Sequence, residues 1–213
     1  MEKNLADIRR EYSMEELSES SVAGDPFVQF ANWFDEYLAS GPLEPSAVSL
    51  STVDTDGNPS SRVVLLKGFD PQGFVFFTNY ESRKGRDLES NPKAALNFFW
   101  PELERQVQIR GEATRTSREE SESYFSTRPV ASKLGAWASQ QSRLLSGRQE
   151  LEDRLTKVAE QYSDGNVPCP PFWGGFRVSP ERFEFWQGRQ SRLHDRICYE
   201  LANGSWKIFR LYP

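Results

Sequence analysis

Apolar residues recur along this chain with two different periods, and the changes of period divide it into segments. Residues 1–25 are polar, and "SMEELSESSVAGD" reads as a flexible arm ahead of a single domain spanning 26–213. Asp25-Pro26 then opens "PFVQFANWFDEYLAS", where Phe27, Phe30, Phe34 and Leu38 recur at helical spacing. Proline at the first helical position behind an aspartate is a start signal, and "SGPLEP" ends the helix. From Ala47 the period drops to two. "AVSLSTVD" and "SSRVVLLKGF" read as strands reversing at Asp56-Gly57, followed by the turn "DPQG" and the strand "FVFFTNY". "SRKGRDLESNP" reads as a short helix, and "KAALNFFW" and "RQVQIRGEATRT" as two more strands around "PELE".

The middle of the chain returns to the helical period. "SREESESYFSTR" begins on Ser117 with Glu120 three residues later, a capping box. Pro129 starts a second helix, and "GRQELEDRLTKVAEQYS" carries Leu151, Leu155 and Val158 along one face of a third. After "VPCPP" the period is two again, in "GGFRVSPERFEFWQG" and in "DRICYELANGSWKIFRLYP" with its Asn203-Gly204 hairpin turn. Strands, then helices, then strands predict an α+β domain whose antiparallel strands close into a barrel.

Composition narrows the function classes. The 213 residues hold 26 basic against 31 acidic side chains, a net charge of −5, which does not suit a surface that coats nucleic acid. One histidine and two distant cysteines, Cys169 and Cys198, cannot assemble a Cys/His metal cage. "MEKNLADIRREY" lacks the apolar core of a signal peptide, and no apolar run approaches the roughly 20 residues of a membrane helix. These features predict a soluble cytoplasmic protein with no metal, membrane or nucleic-acid partner.

No GxGxxG, GxxxxGK[ST], GxSxG or HExxH occurs. What remains is a set of anion binders. In "RVVLLKG", period two puts Arg62 on a face with Val64 and Leu66, and Lys67 on the other with Val63 and Leu65, so the two cations either serve two anions or reach solvent. Arg83 and Lys84 follow the strand ending in Thr78 and Asn79, a place for a phosphate or a solvated basic turn. Tyr124 and Arg128 share a helix face, and Ser132 lies in the first turn after Pro129, a combination that suits a dianion better than packing. Gln106 and Gln108 share a strand face, with solvent as the alternative, and Gln141 and Ser142 sit between helices. The lone His194 stands between Arg192 and Arg196 beside Asp195, close to Trp186, where an anionic or electron-rich aromatic ligand would explain the crowding of charge.

Taken together, "RVVLLKGF", "FFTNYESRKG", "ERQVQIRG", "YFSTRP", "QSR", "FWGGFRV", "EFWQG", "RLHDR" and "FRLYP", with "RREY" near the N-terminus, resemble the pyridoxine (pyridoxamine) 5′-phosphate oxidase family in the family's order. The resemblance implies an FMN-binding split β-barrel with peripheral helices, working as a homodimer with the flavin at the subunit interface. It implies FMN contacts at Arg62, Val63, Val64, Leu65, Leu66, Lys67, Phe77, Thr78, Arg83, Lys84, Gln106, Gln141, Ser142, Trp186 and Arg196. It implies substrate contacts at Lys67, Tyr124, Arg128 and Ser132 around a phosphate. Arg192, Leu193 and His194 would lie at a pyridine ring, and Arg9, Arg10, Glu11 and Tyr12 would form a lid. Arg192 and His194 are the expected catalytic pair. The implied reaction passes hydride from C4′ of pyridoxine or pyridoxamine 5′-phosphate to flavin N5, with O2 as final acceptor. It gives pyridoxal 5′-phosphate, hydrogen peroxide and, from the amine, ammonia. Glu44-Pro45 departs from the aspartate the family often has before that proline. A flavin reductase-like split barrel, a binding module for pyridoxal phosphate and a barrel for single-stranded nucleic acid are the competing readings.

Overall fold

The structure is a computed structural model in which residues 11–213 are described. Asp25 caps the first helix, α1 (Pro26–Ala39), by accepting from the N–H groups of Phe27 at 2.7 Å and Val28 at 3.4 Å, with Pro26 at the first position. The cap contributes about 1 kcal/mol, and proline costs nothing where the N–H has no helical partner. The buried stripe of α1 is Gln29, Phe30, Trp33 and Tyr37 rather than the Phe27–Leu38 line expected from sequence. Phe27 and Phe34 are half-buried and Leu38 is exposed. Tryptophan and tyrosine bring more apolar area than leucine, so the helix turns them inward.

Two strands follow, β1 (Ala47–Val53) and β2 (Pro59–Leu65), then a short β3 (Gly68–Asp70), β4 (Gly73–Asn79) and the helix α2 (Arg83–Ser90). β5 (Lys93–Trp100) and β6 (Arg105–Arg115) lead into α3 (Arg118–Thr127), α4 (Val130–Ala138) and α5 (Arg148–Gln161). The long β7 (Trp173–Gln187), a single 3-10 turn over Gln190–Arg192, β8 (Asp195–Ala202) and β9 (Ser205–Arg210) complete the chain. The strand path is β2-β1-β5-β6-β7-β4-β3, with β8 added to β7 and β9 to β8. The fold is α+β, an antiparallel split β-barrel with peripheral helices, as the alternating segments predict. The capping box is present, with Ser117 Oγ accepting from the Glu120 N–H at 3.0 Å. The third helix of the middle segment is also present as α5, though none of its residues is buried and Leu155 is exposed.

The chain forms two compact units, each assembled from separate stretches. The first comprises residues to Val48, Leu96–Arg110 and Pro180–Pro213. Its core is aromatic: Trp33 meets Phe185 edge-on at 5.3 Å, Tyr37 stacks on Trp100 at 5.0 Å, and Phe30 and Phe98 are fully buried. The described part of the N-terminal stretch is tied to this unit. Ser13 and Met14 donate to Glu104 Oε2, Leu17 donates to Asp195 Oδ2 and is itself buried, and the Tyr199 hydroxyl donates to the Ala23 carbonyl at 2.6 Å. The second unit comprises Ser49–Ala95 and Gly111–Ser179. Its core holds Leu50, Leu88, Phe74, Phe76 and Phe176, with a satellite cluster of Phe125, Val167 and Trp173 beneath the helices.

Candidate functional site

The second unit carries a cavity of about 810 Å³ whose walls gather many of the anion binders marked out by the sequence. Arg62, Val63, Val64 and Leu65 reach it from β2, Lys67 from just beyond, Phe77 and Thr78 from β4, and Lys84 from α2. Tyr124 reaches it from α3, Arg128 from its C-cap, Ser132 from α4 and Gln141 from the loop after α4. Arg62 and Lys67 therefore line one cavity, where alternation along the strand would send them to opposite faces. β2 ends the strand path, so a cavity can wrap its free edge and collect side chains from both faces.

Two subsites are distinguishable. In the first, Arg62 donates to Thr52 Oγ1 at 2.7 Å and Ser60 Oγ at 2.6 Å, and lies 3.8 Å from Asp87. Lys84 Nζ reaches Thr78 Oγ1 and Gln141 Oε1 at 3.2 Å each, and burial, then the Arg62 charge, lowers its pKa to about 8. Arg83 and Lys84 open α2, which has no acidic residue in its first turn. Cations at the positive end of a helix are unfavourable unless an anion joins them. The subsite is short of negative charge.

The second subsite is built around Arg128. Its guanidinium lies 4.8 Å from the Trp173 ring centroid and 5.4 Å from that of Phe125, and its Nη1 is buried with no hydrogen-bond partner. An unpaired buried donor costs about 1–3 kcal/mol, more when charged, which a bound anion would recover. Burial lowers the Arg128 pKa, while Tyr124 and Cys169 oppose that shift. Tyr124 is held by stacking on Phe77 at 4.1 Å, and Phe77 in turn stacks on Trp173 at 5.5 Å. Pro129, the N-cap of α4, offers no side-chain cap, and the Ser132 and Lys133 N–H groups donate to its carbonyl at 2.9 and 3.1 Å. A buried cationic donor without an acceptor beside a stacked aromatic wall suits an anionic ligand.

Other expected contacts lie outside this lining. Leu66 is buried in the core, and Arg83 is half-exposed, 3.9 Å from Asp54. Ser142 adopts φ 69° beside a smaller cavity of about 160 Å³ that shares Gln141. Gln106, Trp186, Arg192, Leu193, His194 and Arg196 belong to the first unit. There Trp186 and His194 rings lie 4.7 Å apart, and the Tyr12 ring meets both edge-on at 5.7 and 5.8 Å. Arg196 is paired with Glu184 at 2.8 and 3.0 Å. Leu193 is exposed, and Ser191 and Arg192 hold left-handed φ of 53° and 61°, a strain of about 1–3 kcal/mol each. Glu11 is exposed, Arg9 and Arg10 lie outside the described residues, and Glu44 accepts from Ser46 Oγ at 2.8 Å. Asn79, Ser139 and Trp173, which sequence reasoning did not single out, also line the large cavity. Among the described residues no group of acidic, histidine or cysteine side chains could hold a metal ion. No helix among them is long and apolar enough to cross a membrane.

Residues 34–162 match the family described as pyridoxamine 5′-phosphate oxidase, and residues 173–213 match the pyridoxine 5′-phosphate oxidase C-terminal dimerisation region. The chain is 53% identical over 214 residues to the pyridoxine/pyridoxamine 5′-phosphate oxidase of Microcystis aeruginosa, covering all of both chains. It is 56% identical over 210 residues to the enzyme of that name from Cupriavidus taiwanensis, covering 98% of this chain and 99% of the relative. Among solved structures, PhzG from Burkholderia lata in complex with tetrahydrophenazine-1-carboxylic acid matches with a TM-score of 0.87 at 30% identity, covering 94% of this chain and 100% of that one. A pyridoxamine 5′-phosphate oxidase-related, FMN-binding protein from Nostoc punctiforme matches in fold, with a TM-score of 0.69 at 15% identity over 90% of this chain and 100% of that one.

Proposed function

The chain belongs to the pyridoxine/pyridoxamine 5′-phosphate oxidase family, and from that premise we propose that it oxidises pyridoxine or pyridoxamine 5′-phosphate to pyridoxal 5′-phosphate, with FMN as cofactor and O2 as acceptor. The observation that carries the reading is the buried, unpartnered Nη1 of Arg128 in the wall of the cavity, a donor that lacks a phosphate oxygen. Lys67, Tyr124, Arg128 and Ser132 hold the substrate phosphate, and the Phe77–Tyr124–Trp173 stack stiffens the wall behind it. Binding through this remote group positions the reacting carbon. Arg62 and Lys84, the pair short of negative charge, hold the cofactor phosphate with Thr78 and Gln141 beside them. When bound, the flavin would supply the redox chemistry, accepting a hydride from C4′, and its two electrons with that hydrogen and the proton lost from the C4′ substituent would reduce O2 to H2O2. The alcohol yields the aldehyde directly, and the amine also consumes water and releases ammonia.

The protein is a homodimer, with residues 173–213 as its dimerisation region. Val63 and Leu65 stand exposed on β2 at the cavity, apolar positions that a second subunit covers. The second copy brings its own Gln106, Ser142, Trp186, Arg192, Leu193, His194 and Arg196 to complete the flavin and pyridine contacts. A cytoplasmic location belongs to the same proposal, since Cys169 and Cys198 are free thiols, as in a reducing compartment.

The test is anaerobic. Adding pyridoxamine 5′-phosphate to the purified yellow protein bleaches the flavin, and in Arg128→Ala the half-saturating concentration rises about 10- to 100-fold, the value of a charged hydrogen bond. A flavin that stays oxidised with excess substrate ends the oxidase reading.

A further inference from the structure

Asp87, on α2, is a buried carboxylate within the second unit, behind the cations of the first subsite. Its Oδ2 accepts from Thr52 Oγ1 at 2.7 Å, and Thr52, on β1, is itself buried. Thr52 Oγ1 in turn accepts from Arg62 Nη1 at 2.7 Å. Three elements far apart in sequence, β1, β2 and α2, thus meet at one hydroxyl. The ends of this chain fix its direction. A guanidinium has only donors and a carboxylate only lone pairs, so the single hydroxyl hydrogen points to Asp87 and a lone pair points to Arg62. Ser60 Oγ and the Leu50 carbonyl accept from the same guanidinium at 2.6 and 3.3 Å. All of these bonds use the terminal nitrogens. Among the described residues none takes the Nε hydrogen of Arg62, which leaves donors for a ligand in the cavity that Arg62 lines.

We propose that Thr52 and Asp87 are positioning residues for the cofactor phosphate: the relay from Arg62 through Thr52 to Asp87 holds the guanidinium from behind, so that its remaining donors meet the phosphate in one orientation. The proposal deepens the FMN reading and rests on it. A long arginine side chain loses rotamer freedom when it grips a ligand. A guanidinium already held by Thr52, Ser60 and Leu50 has lost that freedom on folding, so less affinity is spent on ordering it. Asp87 has a second effect, through its charge. It lies 3.8 Å from Arg62, and it offsets part of the repulsion between the two cations of the subsite. Burial, then the Arg62 charge, lower the Lys84 pKa, and Asp87 opposes them. Burial also lowers the Arg62 pKa, with Asp87 opposing and Arg83 adding to the fall. Arg83, 3.9 Å from Asp54, and Lys67 on the same cavity wall complete the charged groups around this subsite.

The full chain, stripped of flavin, is titrated with FMN and with riboflavin, which has the same ring system and no phosphate. Thr52→Val keeps the shape of the side chain and removes the hydroxyl; it is expected to weaken FMN binding about tenfold and to leave riboflavin binding unchanged. Thr52→Ser, which keeps the hydroxyl, is expected to bind FMN as the parent does. In Asp87→Asn the charge is gone, so Lys84 loses its proton more readily, and the pH above which FMN affinity falls moves below the parent's value of about 8. Equal losses for both flavins would mean that the relay only ties α2 to the sheet. Parental FMN affinity in Thr52→Val, or serine no better than valine, overturns the anchoring of Arg62, and an unmoved pH limb in Asp87→Asn overturns the role of the carboxylate. Where Thr52→Val does not fold, Asp87→Asn decides alone, upholding the proposal if the limb moves and overturning it if not. A parent that binds FMN no more tightly than riboflavin overturns the phosphate assignment and the relay with it, whereas a parent that prefers FMN beside unmoved variants overturns the relay alone.

Discussion

Lys84 is the residue whose charge depends most on what fills the cavity. With Arg62 beside it and burial around it, its pKa sits at about 8, so above that pH the empty site loses one of its two cations. A phosphate dianion restores the charge, which means the bound-state pKa is higher than the free-state value. The contribution to affinity is then fully present below pH 8 and is lost as pH rises through 8 toward the bound value. FMN affinity of the apoprotein, followed by fluorescence quenching, is expected to weaken about tenfold for each pH unit above 8 until the bound-state pKa is reached. Riboflavin, which lacks the phosphate, should show no such limb, and an equal slope for both flavins would remove Lys84 from the phosphate. At this scale the sequence singled out Tyr124, Arg128 and Ser132, which the structure brings together in one cavity wall. It was silent about Thr52 and Asp87, since neither residue type marks a place where three elements meet.

The helix α2 shows how an element places such a charge. Ser82 caps it by accepting from the Gly85 N–H at 3.3 Å, and Gly85 rests against the strand-to-helix corner so closely that a Cβ would lie 2.1 Å from the Tyr80 carbonyl oxygen. Because that neighbour is main chain, it cannot move aside as a side chain would. Gly85→Ala is expected to cost about 1–3 kcal/mol of stability, the cost of overpacking, and to shift Lys84 enough to weaken FMN binding. Calorimetry and flavin titration of the variant read both effects, and a variant with the parent's Tm and flavin affinity would show that the corner is slack. Periodicity located every one of the larger elements because their apolar spacing is strict. It misjudged which face is buried where competition decides, as in α1, where Trp33 and Tyr37 displace Leu38 from the core. In α5 it located the helix, and Leu151, Leu155 and Val158 mark an apolar line without saying how deeply it sinks.

For the whole molecule the question is which chain supplies which half of the site. The large cavity is lined from the second unit, and Arg192 and His194 are not among its lining residues. No sequence pattern states whether two clusters meet within one chain or across two, because a two-fold interface uses the same residues either way. If the partner supplies them, a dimer of one Arg128→Ala chain and one His194→Ala chain carries both lesions in one site and none in the other. Random reassembly makes half the dimers mixed, each with one intact site of two, so at substrate well below the raised half-saturating concentration of Arg128→Ala about a quarter of parental activity returns on mixing two impaired proteins. The two variants are unfolded together, refolded with FMN and assayed beside each variant refolded alone. Activity no higher than that of the separate variants would place Arg128 and His194 of each working site in one chain, and the second subunit would then serve the enzyme by shielding Val63 and Leu65 rather than by lending it a histidine.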